Sequence, residues 1–261
     1  MTKREIAEFY RRLAETRPIP RTELEFINPF TLLVAVVLSA QATDVGVNKA
    51  TPALFALADT PARMLALGEE RVTGLIRTIG LYRTKAKNVI ALSRILVERH
   101  GGAVPPQREA LEALPGVGRK TASVVLNVAF GEPTIAVDTH IFRVANRTGL
   151  AAGKTPLTVE IALEQRTPRE YKRYAHHWLI LHGRYVCKAR KPECPICVAA
   201  DLCRYGAKTG PAELIAARAA AAEPGGLPVV PSDPPPVRRG RGATAAKSGV
   251  SPRRGRVPRP P

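Results

Sequence analysis

The chain has 261 residues, 45% of them hydrophobic, a formal net charge of +18 and a pI near 10.4. That length allows one large or two modest domains with a real core, and the charge points to a polyanionic partner, most simply nucleic acid. No apolar run is long enough to span a bilayer, the N-terminus lacks a signal-like apolar segment, and the four cysteines crowd into residues 187–203 instead of scattering as disulfide staples; a cytoplasmic or nucleoid-associated protein, without membrane partner and monomeric, is the expectation.

In chain order, Ile6, Phe9, Tyr10 and Leu13 mark a first amphipathic helix. Phe30 to Gln41 reads as a buried helix, followed by Val45 to Leu57 with Asp44 as its N-cap. Thr60 and Pro61 open a helix through Met64 to Leu67 in the cap-then-proline pattern. Val72 to Thr78 and Tyr82 to His100 follow, then Arg108 to Leu114 and Thr121 to Phe130. Thr139 to Thr148 and a segment around Tyr171 to Tyr185 complete an all-α reading, with no internal repeat and no alternating strand. Residues 207–261 differ in kind. They hold 11 of the 24 prolines, no aromatic residue and ten basic against three acidic residues, so +7 of the charge lies there and +11 remains on residues 1–206. Such a Pro/Ala/Arg-rich tail buries too little apolar surface to order itself and is expected to be disordered.

Between two of these helices stands Leu114-Pro115-Gly116-Val117-Gly118-Arg119-Lys120. Two glycines one residue apart after a proline make a tight turn, so the unit reads as helix, hairpin, helix over about 108–128. A turn whose N–H groups lead into a helix N-terminus is an anion site, and DNA phosphate is the natural anion for so basic a chain. Leu114, Gly116, Val117, Gly118 and Arg119 are therefore candidate DNA-binding residues. Lys120 is either a further phosphate contact or a nucleophile. A nucleophilic lysine must spend part of its time neutral, which a helix N-terminus, the neighbouring Arg119 and partial burial favour.

Asp138, in Val137-Asp138-Thr139-His140, reads as the N-cap of the following helix. The sharper reading sets its carboxylate across a cleft from Lys120, to stabilise positive charge developing on a deoxyribose. Cys187, Cys194, Cys197 and Cys203 have the spacing C-x6-C-x2-C-x5-C, which suits one closed, structural tetrahedral metal centre or one iron–sulfur cluster. Spacing alone favours zinc. Lys188, Arg190 and Lys191 beside these thiols form a basic loop able to face phosphate. His176, His177 and His182 lie nearby and read as packing or capping residues.

Together, Leu114 to Lys120, Val137 to Arg143 and the four-cysteine loop, in this order and separation, resemble endonuclease III, a family of helix-hairpin-helix DNA glycosylases with an associated strand-cleaving activity. Leu38 to Asp44, Thr78 to Tyr82 and His177 to Tyr185 support the resemblance, which covers roughly residues 1–206. It implies two helical domains flanking a cleft. One is a six-helix domain over 22–132; the other joins 1–21 to 133–206 and holds a 4Fe–4S cluster on the loop 187–203. It further implies a bifunctional DNA glycosylase and abasic-site lyase that acts on oxidised or ring-fragmented pyrimidines in double-stranded DNA, or on abasic sites. Lys120 is then the nucleophile, Asp138 its partner, and Gln41 and Leu81 fill the gap left by an extruded base. Two rivals remain at this level: a helix-hairpin-helix protein that binds DNA without catalysis, and an adenine-mismatch glycosylase. The second is disfavoured because Phe30 to Gln41 contains no Asp or Glu, whereas Lys120 is present.

Overall fold

The computed structural model describes residues 1–210, so the expectation for the tail 207–261 falls, from residue 211 on, outside the described residues. Among these the helices are α1 (Lys3–Thr16), α2 (Pro29–Ser39), α3 (Asp44–Leu57), α4 (Pro61–Leu67), α5 (Glu69–Leu75) and α6 (Tyr82–His100). They continue as α7 (Arg108–Glu112), α8 (Arg119–Phe130), α9 (Thr139–Thr148), α10 (Pro156–Arg166) and α11 (Lys172–Tyr185). No strand occurs among the described residues, and no helix there is long and apolar enough to cross a membrane.

Local chemistry sets most of the helix starts. Thr2 and Glu5 form a reciprocal capping box on α1, and Asn28 with Thr31 does the same for α2, ahead of Pro29. Thr60 caps α4 before Pro61 as the sequence predicts. One cap is shifted by a residue: Thr43, not Asp44, accepts the Gly46 N–H at 3.1 Å and opens α3, leaving Asp44 in the first turn. α10 has no counterpart among the helices read from periodicity. Seven helical segments, α2 to α8, fall within residues 22–132, and Gly68 at φ 79° divides α4 from α5.

Two apolar cores organise these helices. The first runs from Leu24 to Val128 and surrounds α2, whose residues Phe30 to Leu38 are all buried. A helix apolar on every face has no solvent side, which makes α2 the axis of this core. The second gathers Ile6, Phe9, Tyr10, Leu13 and Ala14 of α1 with residues from Ile135 to Ala199. Its centre is aromatic: Tyr10 stacks on Tyr171 at 5.8 Å, Trp178 packs against both, and the Tyr10 hydroxyl shares a 3.0 Å hydrogen bond with Thr167. Thus α1 packs with the far end of the chain. Arg12 extends this tie, donating to the Val198 carbonyl at 2.9 Å and to Asp201 at 2.7 Å, which fastens α1 to the cysteine-bearing segment.

Candidate active site

The hairpin between α7 and α8 is anchored by Leu114 and Val117, both buried in the first core. The two glycines differ in purpose. Gly116 has φ 78°, and a Cβ built there would stand 2.9 Å from Asn88 Nδ2, so both backbone and neighbour exclude a side chain. Gly118 has φ −98° and open space above it, so the fold does not require glycine. What its missing side chain leaves is free approach to the N-terminus of α8, which carries no side-chain cap and no acidic residue in its first turn.

Arg119 and Lys120 open α8 and part at once. Arg119 Nη2 lies 2.8 Å from Glu160 on α10, whose carboxylate is buried. Lys120 makes no hydrogen bond or ion pair among the described residues. It is exposed, against the partial burial expected from the sequence: Ala122, Val125 and Leu126 turn the apolar face of α8 to the core, and Lys120 falls on the other side.

Asp138 caps α9, accepting the Ile141 N–H at 2.8 Å, which fixes the carboxylate at the mouth of the helix. The segment leading to it, Ile135 to Val137, is buried. His176 of α11 registers both regions, the Ala136 backbone favouring its charged form and the charge of Lys120 opposing it. Burial first, and the Lys120 charge second, push His176 down to about 4. Burial pushes its neighbour His177 down to about 3.

Gln41 and Leu81 share a backbone peculiarity. With φ 54° and 60° they are the only non-glycine residues at positive φ among the described residues. Both are exposed, Leu81 with 61% of its surface open, an unusual position for a leucine held in a disfavoured conformation. Their loops run side by side, since a Cβ on Gly80 would meet the Gln41 carbonyl oxygen at 4.0 Å.

The four cysteines line one cavity with His182. Cys197 Sγ lies 3.7 Å from His182 Nε2, Cys187 Sγ 3.8 Å from Arg147 Nη1, and Cys203 Sγ takes the Tyr205 N–H at 3.4 Å. None is in a disulfide. No three His, Cys, Asp or Glu side chains among the described residues converge closely enough to hold a single metal ion. Arg147 also clamps the basic loop through the carbonyls of Lys188 and Ala189, both at 2.7 Å. Arg190 and Lys191 are exposed, whereas Lys188 is paired with Glu193 at 2.9 Å and its charge is partly spent within the loop.

Sequence reading misses three side chains that bond to elements carrying the candidate residues: Glu160, Lys85 and Arg184. Arg184, three residues before Cys187, pairs with Glu23 and, at 2.7 Å, with Asp44, so α11 holds the start of α3 beside the Gln41 loop. The pattern His177 to Tyr185 contains Arg184, but nothing local signals partners so far along the chain.

Residues 34–169 match the family model described as the HhH-GPD superfamily base excision DNA repair protein. The chain is 61% identical over 208 residues to endonuclease III of Escherichia coli strain K12, across 80% of this chain and 99% of that one. Against endonuclease III of Haemophilus influenzae the identity is 59% over the same shares. Among solved structures, a trapped endonuclease III–DNA covalent intermediate superposes with a TM-score of 0.74 at 47% identity, covering 79% of this chain and 97% of that one.

Proposed function

The chain belongs to the HhH-GPD superfamily of base excision repair proteins and to endonuclease III within it, and from that premise we propose that Lys120 is the nucleophile of its reaction and Asp138 the partner carboxylate. It is a DNA glycosylase and abasic-site lyase. Its substrates in this reading are oxidised or ring-fragmented pyrimidines in duplex DNA. The observation that carries the assignment is Lys120 itself: an exposed amine, uncommitted to any partner among the described residues, on the first turn of an uncapped helix beside a glycine that leaves room for phosphate.

The steps follow from charge and geometry. Leu114 and Val117 hold the hairpin rigid while the N–H groups of Gly118 and the first turn of α8 receive a strand phosphate. A damaged base stacks and pairs poorly, so extruding it costs less than extruding a normal one, and Gln41 and Leu81 occupy the space it leaves. The neutral Lys120 amine attacks the sugar C1′ as the bond to the base breaks, and the base departs with that electron pair and takes up a proton. Asp138, held by its capping bond, stabilises the positive charge on the sugar. The ring then opens as the nitrogen lone pair forms the C1′=N bond and the C1′–O4′ electron pair passes to O4′, which takes a proton, leaving a protonated Schiff base between C1′ and Lys120. That cation acidifies C2′; loss of the C2′ proton expels the 3′ phosphate and cuts the strand. Hydrolysis of the Schiff base returns the amine.

Cys187, Cys194, Cys197 and Cys203 are the residues that would hold a 4Fe–4S cluster. Four thiols lining one cavity, none of them in a disulfide, support a group in which each thiolate binds a different iron. When bound, the cluster supplies a cross-link that fixes the loop 187–203, and with it the basic residues Arg190 and Lys191, against α9 and α11. Iron and inorganic sulfide in the purified protein are the expected result, and stoichiometric zinc in material made with adequate iron overturns it.

A panel of single-lesion duplexes, incubated with and without borohydride, tests the reaction. Reduction of the Schiff base is expected to leave a covalent protein–DNA adduct on damaged pyrimidines and on abasic sites. Binding without any adduct would reduce the hairpin to a phosphate clamp.

A further inference from the structure

A helix ends with four carbonyls that its own ladder cannot serve. At the end of α2 three of these are met locally. Ser39 Oγ donates to Val36 at 2.8 Å, the Ala40 N–H reaches Val37 at 3.4 Å, and the Ala42 N–H reaches Ser39 at 3.0 Å. The remaining carbonyl, Leu38, is met from 47 residues away by Lys85 Nζ at 2.9 Å.

Lys85 stands four residues after Leu81, and its backbone N–H donates to the Leu81 carbonyl at 3.0 Å. Its side chain therefore runs from the helix that Leu81 opens to the helix end from which Gln41 departs. It is 5% exposed, the one buried lysine among the described residues, and it forms no ion pair there. Burial lowers its amine below the ordinary lysine range, so its placement works against the charge it carries. An apolar side chain would fill the same space without that penalty. What lysine adds is a donor aimed at a carbonyl, and a cation where the helix dipole favours one.

We propose that Lys85 is a positioning residue for base extrusion, a strut that fixes the spacing between Gln41 and Leu81 so that both enter the duplex together. The proposal rests on the reading of those two residues given above. Two side chains in the left-handed region, on adjacent loops, keep that conformation only where the surroundings impose it. Lys85 is the side chain that bonds one loop's helix while rooted in the other's.

The test uses the full chain and three duplexes: one carrying 2-aminopurine beside a thymine glycol, whose emission rises as the lesion leaves the stack, one with thymine glycol alone, and one with a preformed abasic site. Lys85→Met is expected to slow the emission rise and base removal in single turnover by about tenfold. Borohydride trapping on the abasic duplex, where no stacked base resists extrusion, should change by less than about twofold. In a Gln41→Ala background the same substitution should add less than about twofold, because both act on one step. Should Lys85→Met melt well below the wild type, Lys85→Gln, which keeps a polar end but falls short of Leu38, is read in its place with the same expectations. Equal losses on damaged and abasic duplexes, or full additivity with Gln41→Ala, overturn the proposal. A wild-type chain that forms no adduct on the abasic duplex would instead overturn the lyase reading, and the emission rise would still decide the role of Lys85.

Discussion

Glu160 grips Arg119 from α10, with Nε at 2.9 Å and Nη2 at 2.8 Å from the same carboxylate oxygen. The two partners meet water unequally, since the Glu160 side chain is 7% exposed and that of Arg119 is 48% exposed. Removing one end should therefore cost more than removing the other. Arg119→Ala strands a buried carboxylate beside Glu164, itself pushed up by burial and then by Glu160, and should cost about 2–3 kcal/mol. Glu160→Gln keeps the shape and returns Arg119 to solvent, at about 1 kcal/mol or less. Urea unfolding of both variants checks the order, and equal losses would mean that water already reaches Glu160.

Lys120 is exposed and uncommitted among the described residues, so Lys120→Ala should leave stability within about 0.5 kcal/mol of the wild type. DNA affinity should fall by no more than the loss of one phosphate contact, with the salt slope reduced by about one. Strand cleavage and borohydride trapping should vanish. Cleavage that survives in the variant excludes Lys120 as the nucleophile.

What the sequence discloses and what it hides divide by distance along the chain. The cap at Asp138 and the Thr60-Pro61 start are legible because each is decided within four residues, and the hairpin is legible because its two glycines follow a proline. α10 escapes the periodic reading because Leu157 and Ile161 are exposed while Val159 and Leu163 are buried, which blurs its apolar stripe, although Thr155-Pro156 carries the same start signal as α4. Thr43 and Asp44 are both good caps, and side-chain chemistry alone does not choose between them. The pairing of α1 with the end of the chain is out of local reach, for Tyr10 finds Thr167 and Arg12 finds Asp201. In the proposed site, Lys120, Asp138 and the cysteines announce themselves by neighbours and spacing. Glu160 and Lys85 do not, because each acquires meaning only from a partner 41 or 47 residues away.

His176 and His177 make stability depend on acidity. Both are buried, with Nδ1 of each lacking a partner among the described residues, and they titrate near 4 and near 3 in the folded chain against 6.5 unfolded. A histidine held neutral by the fold favours folding fully above pH 6.5. As pH falls below 6.5 the unfolded chain gains protons that the folded chain refuses, so stability drops until the folded values are reached. Each histidine should cost about 1.4 kcal/mol per pH unit in this window, hence about 2 kcal/mol at pH 5. Denaturant unfolding between pH 8 and 5 should show the decline, and His177→Gln should make it shallower. Constant stability over that range would show that the two rings take up protons in place.

The two hairpin glycines should respond to alanine in opposite ways. Gly116→Ala forces an L residue to φ 78° and drives a Cβ to 2.9 Å from Asn88 Nδ2, so a loss of about 2 kcal/mol or more is expected, visible as a lower melting temperature. Gly118→Ala meets no atom within 4 Å at an ordinary φ, so the fold should be unchanged or firmer by about 0.4–1 kcal/mol. Its methyl group, however, stands where a phosphate must approach the first N–H groups of α8. Affinity for an undamaged duplex should fall about tenfold, with the slope of log K against log salt smaller by about one. Fluorescence anisotropy at several salt concentrations measures both quantities. A Gly118→Ala protein that binds as the wild type does would remove the hairpin from the phosphate contact, and with it the reason for an uncapped helix at Lys120.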